Sequence, residues 1–216
     1  MTDKFYIDAI VNYNRNSISH IGYENGKRVR GETPLKPRLY VKSPRGGNHK
    51  SLYGDVLTEV EFDTMEECSK FKKSYPSQVY GDLGYVEQFI TDNYSHKITF
   101  DFDLINYAVI DIEVACDEGF PAIDKADWPI NAITIKLKND DTYYTWGLGE
   151  YDESKSNKKV SYFAHSKEET LIVDFIQWWS KQSIDIITGW NSRGFDIPYI
   201  VNRIKNIWKR GHTSLV

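Results

Sequence analysis

The run Ala108–Val114, "AVIDIEV", restricts the fold more than any other segment of the chain. Read as a strand, it sends Ile110, Ile112 and Val114 to one face and Asp111 and Glu113 to the other. Two carboxylates side by side repel, and burial raises that cost. Two arrangements answer the difficulty. The acidic face meets water, as in many antiparallel sheets, or the hard carboxylate oxygens share a divalent cation such as Mg²⁺ or Mn²⁺. The run by itself leaves both open.

The pattern around it is that of a mixed sheet. "INYAVIDIEVA", "INAITIKLKN", "DTYYTWGL" and "VSYFAH" are strand-like runs, with Asn139-Asp140-Asp141 as a tight turn between the second and third. Ser166 then opens a helix, with Glu169 in capping-box position. Leu171, Ile172, Phe175 and Trp178 or Trp179 form its apolar face. "IDIITGW" reads as a short buried strand. From Ile197 to Lys209, Tyr199, Ile200, Ile204 and Ile207 or Trp208 recur at helical spacing. Hairpins first and a crossover later define an α/β (α+β) class. Ligand chemistry is then expected at the carboxyl end of the crossover strand, near Gly189.

The preceding hundred or so residues read differently. "DKFYIDAIVNYN" and "SISHIGYENGKRVRGE" are strand patterns, and Asn25-Gly26 supplies the positive φ of a tight hairpin. "RLYVKSP" is another short strand. Thr64 to Ser74 reads as a helix with Thr64 and Glu67 at capping-box spacing and Met65, Cys68 and Phe71 on one face. "YVEQFITDNYS" reads as a further strand. The expected division is a small β-rich domain over 1–103 and a second domain over 104–216.

Composition narrows the class of protein. With 40% hydrophobic and 14% aromatic residues, the chain has the material for a core. No apolar run approaches the roughly 20 residues that span a bilayer, which argues against a membrane role. The start "MTDKFYIDAI" lacks a signal peptide's apolar region, and Cys68 and Cys116 lack metal-type spacing. Together these describe a soluble intracellular protein. The net charge of −4 does not advertise nucleic acid. Locally, however, Lys27, Arg28, Arg30, Lys36, Arg38, Lys42, Arg45 and Lys50 face only Glu32 between positions 27 and 50. That stretch either meets phosphate or is a solvated loop.

A second constellation lies in "TGWNSRGFDIPYI". Asp196 stands where it can cap the last helix, and Pro198 suits the first turn. Gly189 and Gly194 tighten the loop, Gly194 by taking conformations that other residues avoid. Phe195 beside the acid can pack on a nucleobase or sugar. Asn191 can donate to phosphate or orient the acid. Trp190 and Trp208 are assigned to core packing, with an interface as the alternative.

"DIE" on a strand, followed by "NSRGFD" leading into a helix, resembles the first two exonuclease motifs of family B DNA polymerases of large tailed phages, Asp-x-Glu and Asn-x-x-x-Phe-Asp. "KFYI", "YENGKRVR", "YGD", "ITDNY", "INAIT" and "TGWNSRGFDIPYIVNRIK" extend the resemblance along essentially the whole chain. It implies an RNase H-like 3′–5′ proofreading exonuclease acting by two-metal hydrolysis with Mg²⁺ or Mn²⁺. Asp111 would bridge both metals, Glu113 would bind the metal that activates water, and Asp196 the other. Asn191 and Phe195 would hold the terminal nucleotides of a single-stranded 3′ DNA end at a primer–template. The setting implied is the cytoplasm of an infected bacterial cell.

The family's third motif, Tyr-x-x-x-Asp, has no counterpart in these residues, nor do the palm, fingers and thumb. The RNase H-like domain is therefore expected to be incomplete and the lone chain weakly active or inactive. A C-terminal polymerase polypeptide is expected as partner. The alternative is a catalytically inactive module for template, messenger RNA or assembly, since some phage relatives bind messenger RNA.

Overall fold

The computed structural model describes residues 4–43, 45–80, 84–94 and 97–213, with side chains as far as Lys209. The chain divides into two units, Met1–Leu104 and Ile105–Val216. Among the described residues, no helix is long and apolar enough to cross a membrane.

In the first unit, β1 (Lys4–Asn12), β2 (Ser17–Glu24) and β3 (Lys27–Pro34) form an antiparallel sheet in that order. Asn25 and Gly26 take φ of 51° and 74°, the left-handed pair that a two-residue hairpin needs, and Glu24 pairs with Lys27 across them. A second sheet has the order β5-β6-β4-β7, built from β4 (Arg38–Lys42), β5 (His49–Lys50), β6 (Val56–Glu61) and β7 (Val79–Tyr80). Helix α1 (Met65–Ser74) begins as its sequence dictates, with the Thr64 side chain accepting the Glu67 N–H at 3.1 Å.

The run "YVEQFITDNYS" is a helix rather than a strand: α2 covers Tyr85–Asn93. Its aromatic and β-branched content favours a sheet, but its apolar residues fall at helical spacing. Val86, Phe89 and Ile90 pack on a core that includes Ile18, Leu35 and Met65. Gln88, buried on the same helix, is satisfied by main chain, donating to the Lys36 carbonyl at 2.8 Å and accepting the Arg38 N–H at 3.2 Å. Tertiary burial overrides local propensity here.

In the second unit, β8 (Tyr107–Val114), β9 (Ile130–Leu137) and β10 (Tyr143–Leu148) run antiparallel. The edge strand β11 (Val160–His165) lies parallel to β10, and β12 (Ile186–Thr188) parallel to β8, giving the order β11-β10-β9-β8-β12. The turn before β10 is pinned by Asp140, which accepts the Thr142 N–H at 2.7 Å.

Helix α3 (Glu168–Trp179) buries Leu171, Ile172 and Phe175 in the sheet's core, about 1.5–3 kcal/mol each before chain entropy is counted. It starts at Glu168, not Ser166, and no side chain caps it. Glu168 is instead drawn inward, where it accepts the Ile130 N–H at 2.7 Å and pairs with Arg203. Helix α4 (Asp196–Thr213) closes the unit. Two further expectations are corrected. The side chains of β12 are exposed rather than buried. Trp190 is fully exposed and Trp208 about half exposed, so neither supplies core packing.

Candidate active site

Strand β8 alternates as its sequence requires: Ala108, Ile110 and Ile112 are buried, while Asp111 and Glu113 face outward. Successive outward residues stand about 7 Å apart along a strand. The two carboxylates therefore share a face without touching each other's backbone.

Asp196 reaches this strand from the other side of the sequence. Strand β12 pairs with β8 only as far as Thr188 and Val109. Beyond that point the chain leaves the sheet at Gly189, so tightly that a Cβ there would sit 2.4 Å from the Ile110 carbonyl oxygen. The turn that follows is closed by the Asn191 carbonyl, which accepts the N–H groups of Gly194 at 3.0 Å and Phe195 at 2.7 Å. Helix α4 starts at once, and its first residue places a carboxylate against the edge that β12 has vacated. Asp196 Oδ1 accepts the Ile112 N–H at 3.1 Å. Asp196 thus ties helix α4 to the acidic strand instead of serving only its own helix end.

The electrostatics follow from that position. Asp196 is 4% exposed. Burial pushes its carboxyl above the usual range. Its own amide and that of Ile112 oppose the shift, and the Asp111 charge adds to it. The structure therefore brings Asp196 within electrostatic reach of Asp111. A cation would relieve both the repulsion and the desolvation. Among the described residues no group of three or more His, Cys, Asp or Glu side chains converges to hold a metal ion. The donor set of Asp111, Glu113 and Asp196 nonetheless fits Mg²⁺ or Mn²⁺ chemically, since every ligand is a hard oxygen and the buried one is short of counter-charge.

Asn191 is exposed, and its side chain lies under Gly194, where a Cβ would come within 2.4 Å of Asn191 Oδ1. Gly194 does not take the left-handed conformation; its close neighbour is the exposed Asn191 side chain. Phe195 turns into the core against Tyr199, with ring centroids 5.3 Å apart. Its other neighbour, at 4.7 Å, is Phe120, whose ring is largely exposed.

Sequence reasoning missed Phe120, which sits in a loop without periodicity. It also missed the buried Glu168–Arg203 pair, for which a signal existed: Arg203 falls on the same helical face as Tyr199 and Ile207. Arg203 Nε and Nη2 donate to Glu168 at 2.8 and 2.6 Å, and Nη1 donates to the carbonyls of Ala126 and Asp127. Tyr199, Asn202 and Asn206 donate to the carbonyls of Trp128, Ile123 and Lys125. One side of α4 thereby fixes the segment that leads from the acidic strand into β9.

The outward acids of β8 and the carboxylate that the start of α4 delivers beside them form a candidate site on the edge of a mixed sheet. Residues 85–214 match the family described as DNA polymerase family B, exonuclease domain, and the chain belongs to that family. The chain is 30% identical over 212 residues to the DNA-directed DNA polymerase of Escherichia phage RB69, covering 85% of this chain and 24% of that protein. It is 27% identical over 230 residues to the DNA-directed DNA polymerase of Enterobacteria phage T4, covering 94% of this chain and 25% of that one. It therefore spans about a quarter of the length of these relatives. The family B DNA polymerase of the hyperthermophilic archaeon Pyrobaculum calidifontis superposes with a TM-score of 0.68 at 15% identity, covering 96% of this chain and 32% of that one. The likeness at that identity is one of fold, and it agrees with the mixed α+β architecture.

Proposed function

We propose that these residues are the N-terminal and exonuclease portion of a family B replicative DNA polymerase of a phage, acting in the cytoplasm of an infected bacterial cell. Their own chemistry is hydrolysis of the terminal nucleotide at a single-stranded 3′ DNA end. The observation that carries this is the Asp196–Ile112 hydrogen bond, which sets a buried carboxylate beside Asp111 on the strand that also bears Glu113.

Asp111, Glu113 and Asp196 would hold Mg²⁺ or Mn²⁺. When bound, the metals would supply a nucleophile from water at neutral pH and stabilise the departing 3′ oxygen. Ile112 N–H holds Asp196 in one orientation, so its charge is offered to the site and not to solvent. The exposed Asn191 amide can donate to a phosphate of the terminal nucleotides. Phe195, packed beneath Phe120, supports the surface on which those nucleotides rest. The polymerising activity of the relatives is proposed for the complete polymerase, with the third motif and polymerase domain supplied in the same polypeptide or by a second one. The reading as a purely nucleic-acid-binding module is weakened in part by the pairing of the basic stretch 27–50. There Lys36 pairs with Glu61, Arg38 with Asp92, and Lys42 with Asp55.

The test is shortening of a 5′-labelled oligonucleotide with a single-stranded 3′ end, in Mg²⁺ and in Mn²⁺. It is run with and without a fragment supplying the third motif and polymerase domain. Asp111→Ala is expected to lower the rate at least about 100-fold. Shortening that persists undiminished in Asp111→Ala would remove the assignment.

A further inference from the structure

One residue of the loop between β8 and β9 is held in a conformation that its side chain disfavours. Ala126 lies at φ 44°, in the left-handed region, and is fully buried. For a residue with a Cβ that conformation costs about 5- to 30-fold in population against the right-handed one. Such residues persist where surrounding contacts over-determine them, and they gather at active sites and ligand clamps.

The contacts that hold it come from one helix. The Ala126 N–H donates to the Ala122 carbonyl at 2.9 Å, closing a single helical turn. The last carbonyls of such a turn have no partner within it, and α4 supplies the donors. Arg203 Nη1 donates to the carbonyls of Ala126 at 3.1 Å and Asp127 at 2.8 Å. Asn206 Nδ2 donates to those of Lys125 and Ala126. Arg203 is fixed in turn on its other edge, because Nε and Nη2 meet the two oxygens of Glu168, which also accepts the Ile130 N–H. A lysine could neutralise Glu168. Doing so with a donor left over for two carbonyls takes the planar fork of an arginine.

The same loop carries Phe120, largely exposed, with its ring 4.7 Å from that of Phe195, the neighbour of Asp196. Buried Pro121 and the turn Ala122–Ala126 follow Phe120 directly, so the geometry of the turn sets where that ring stands. We infer that Arg203 is a positioning residue. With Asn206 it holds Ala126 left-handed and so keeps Phe120 over Phe195, where the 3′-terminal nucleotides are received; its functional consequence rests on the exonuclease function proposed above. The bonds of Arg203 go to Glu168 and the loop, so its loss falls on substrate affinity rather than on the carboxylates.

The test uses full-chain variants in EDTA, so that no strand is consumed. Arg203→Lys keeps a cation beside Glu168 but gives up the fork. Asn206→Ala removes the other donor to Ala126 at a partly exposed position, and decides the matter if Arg203→Lys fails to fold. Ala126→Gly is added to each, because glycine takes the left-handed conformation without help. Amide hydrogen exchange is mapped by mass spectrometry, and binding of fluorescein-labelled oligo-dT with a free 3′ end is followed by anisotropy. Arg203→Lys is expected to speed exchange over 122–128 about tenfold, with α3 and β9 unchanged, and to weaken binding about 5- to 30-fold as the competent loop is depopulated. Asn206→Ala moves both in the same direction by less. Ala126→Gly is expected to restore both, which a role confined to the ion pair does not allow, since glycine adds no contact to Glu168. Unchanged exchange and affinity in the single variants, or no recovery on adding Ala126→Gly, overturns the assignment. An unsubstituted chain that does not bind the strand, with exchange and its recovery as expected, counts against the exonuclease function and leaves the positioning of the loop standing.

Discussion

Asp196 owes its position to a vacancy in hydrogen bonding. The Ile112 N–H loses a strand partner where β12 stops, and the carboxylate fills that place. Gly189 makes the exchange possible by letting the chain leave the sheet against the Ile110 carbonyl. Gly189→Ala puts a methyl into that backbone oxygen, so strand or loop must shift. We expect a loss of about 1–3 kcal/mol in denaturant unfolding, with a fall in 3′-end hydrolysis larger than the stability loss explains. The sequence motif announced Asn191, Phe195 and Asp196 as a group. Gly194 does not use the backbone freedom its sequence position suggests, and its neighbour, the Asn191 side chain, is visible only in three dimensions.

Asp140 gives the residue scale a pH signature. The Tyr144 hydroxyl and the amide of Thr142 lower its carboxyl from 3.8 to about 2. A lowered carboxylate stabilises the fold above its unfolded value, and that contribution is lost as pH falls from about 4 towards 2. Acid unfolding of Asp140→Asn is expected to show a shallower dependence across that window. An identical curve would contradict the assignment.

At the scale of elements, the two helices of the second unit show how an amphipathic pattern can be right and still incomplete. The apolar stripe of α4 was legible, and Tyr199 and Ile200 are buried. Its other work is polar: Asn202, Arg203 and Asn206 satisfy carbonyls between Ile123 and Asp127. Arg203 also meets Glu168 with side-chain exposures of 7% and 8%. Removing one member of such a pair leaves the other charge buried, so Arg203→Ala and Glu168→Ala are each expected to cost about 3–5 kcal/mol. The double substitution is expected to cost clearly less than the sum, measured by urea unfolding in a double-mutant cycle. Strict additivity would show that the pair is not coupled. Glu168 also explains why the capping box at Ser166 goes unused: the helix start is held from inside. For α2, strand propensity and helical spacing conflict, and burial of Phe89 against Ile18 and Met65 decides for the helix.

At the scale of the whole molecule, metal binding at the proposed site is expected to register as stability, because only the folded chain sets Asp196 beside the strand that bears Asp111 and Glu113. Mg²⁺ or Mn²⁺ at about a hundredfold excess over Kd should add about 2.7 kcal/mol. The added stability appears as a raised unfolding midpoint in calorimetry and is absent in Asp111→Ala. A midpoint indifferent to both ions in the unsubstituted chain would count against the metal assignment. Part of the charge is also paired at this scale. The basic stretch from Lys27 to Lys50 looked open in sequence, yet Glu61, Asp92 and Asp55, brought by other elements, pair with Lys36, Arg38 and Lys42. Local pattern by itself determined the strand that carries Asp111 and Glu113, the Asn25-Gly26 hairpin and the Thr64 cap, because each depends on residues within one turn or one strand. Tertiary structure alone decided that Asp196 meets Ile112, that Arg203 neutralises Glu168 and that α2 is a helix. Those outcomes depend on partners tens of residues away, whose approach no local periodicity encodes.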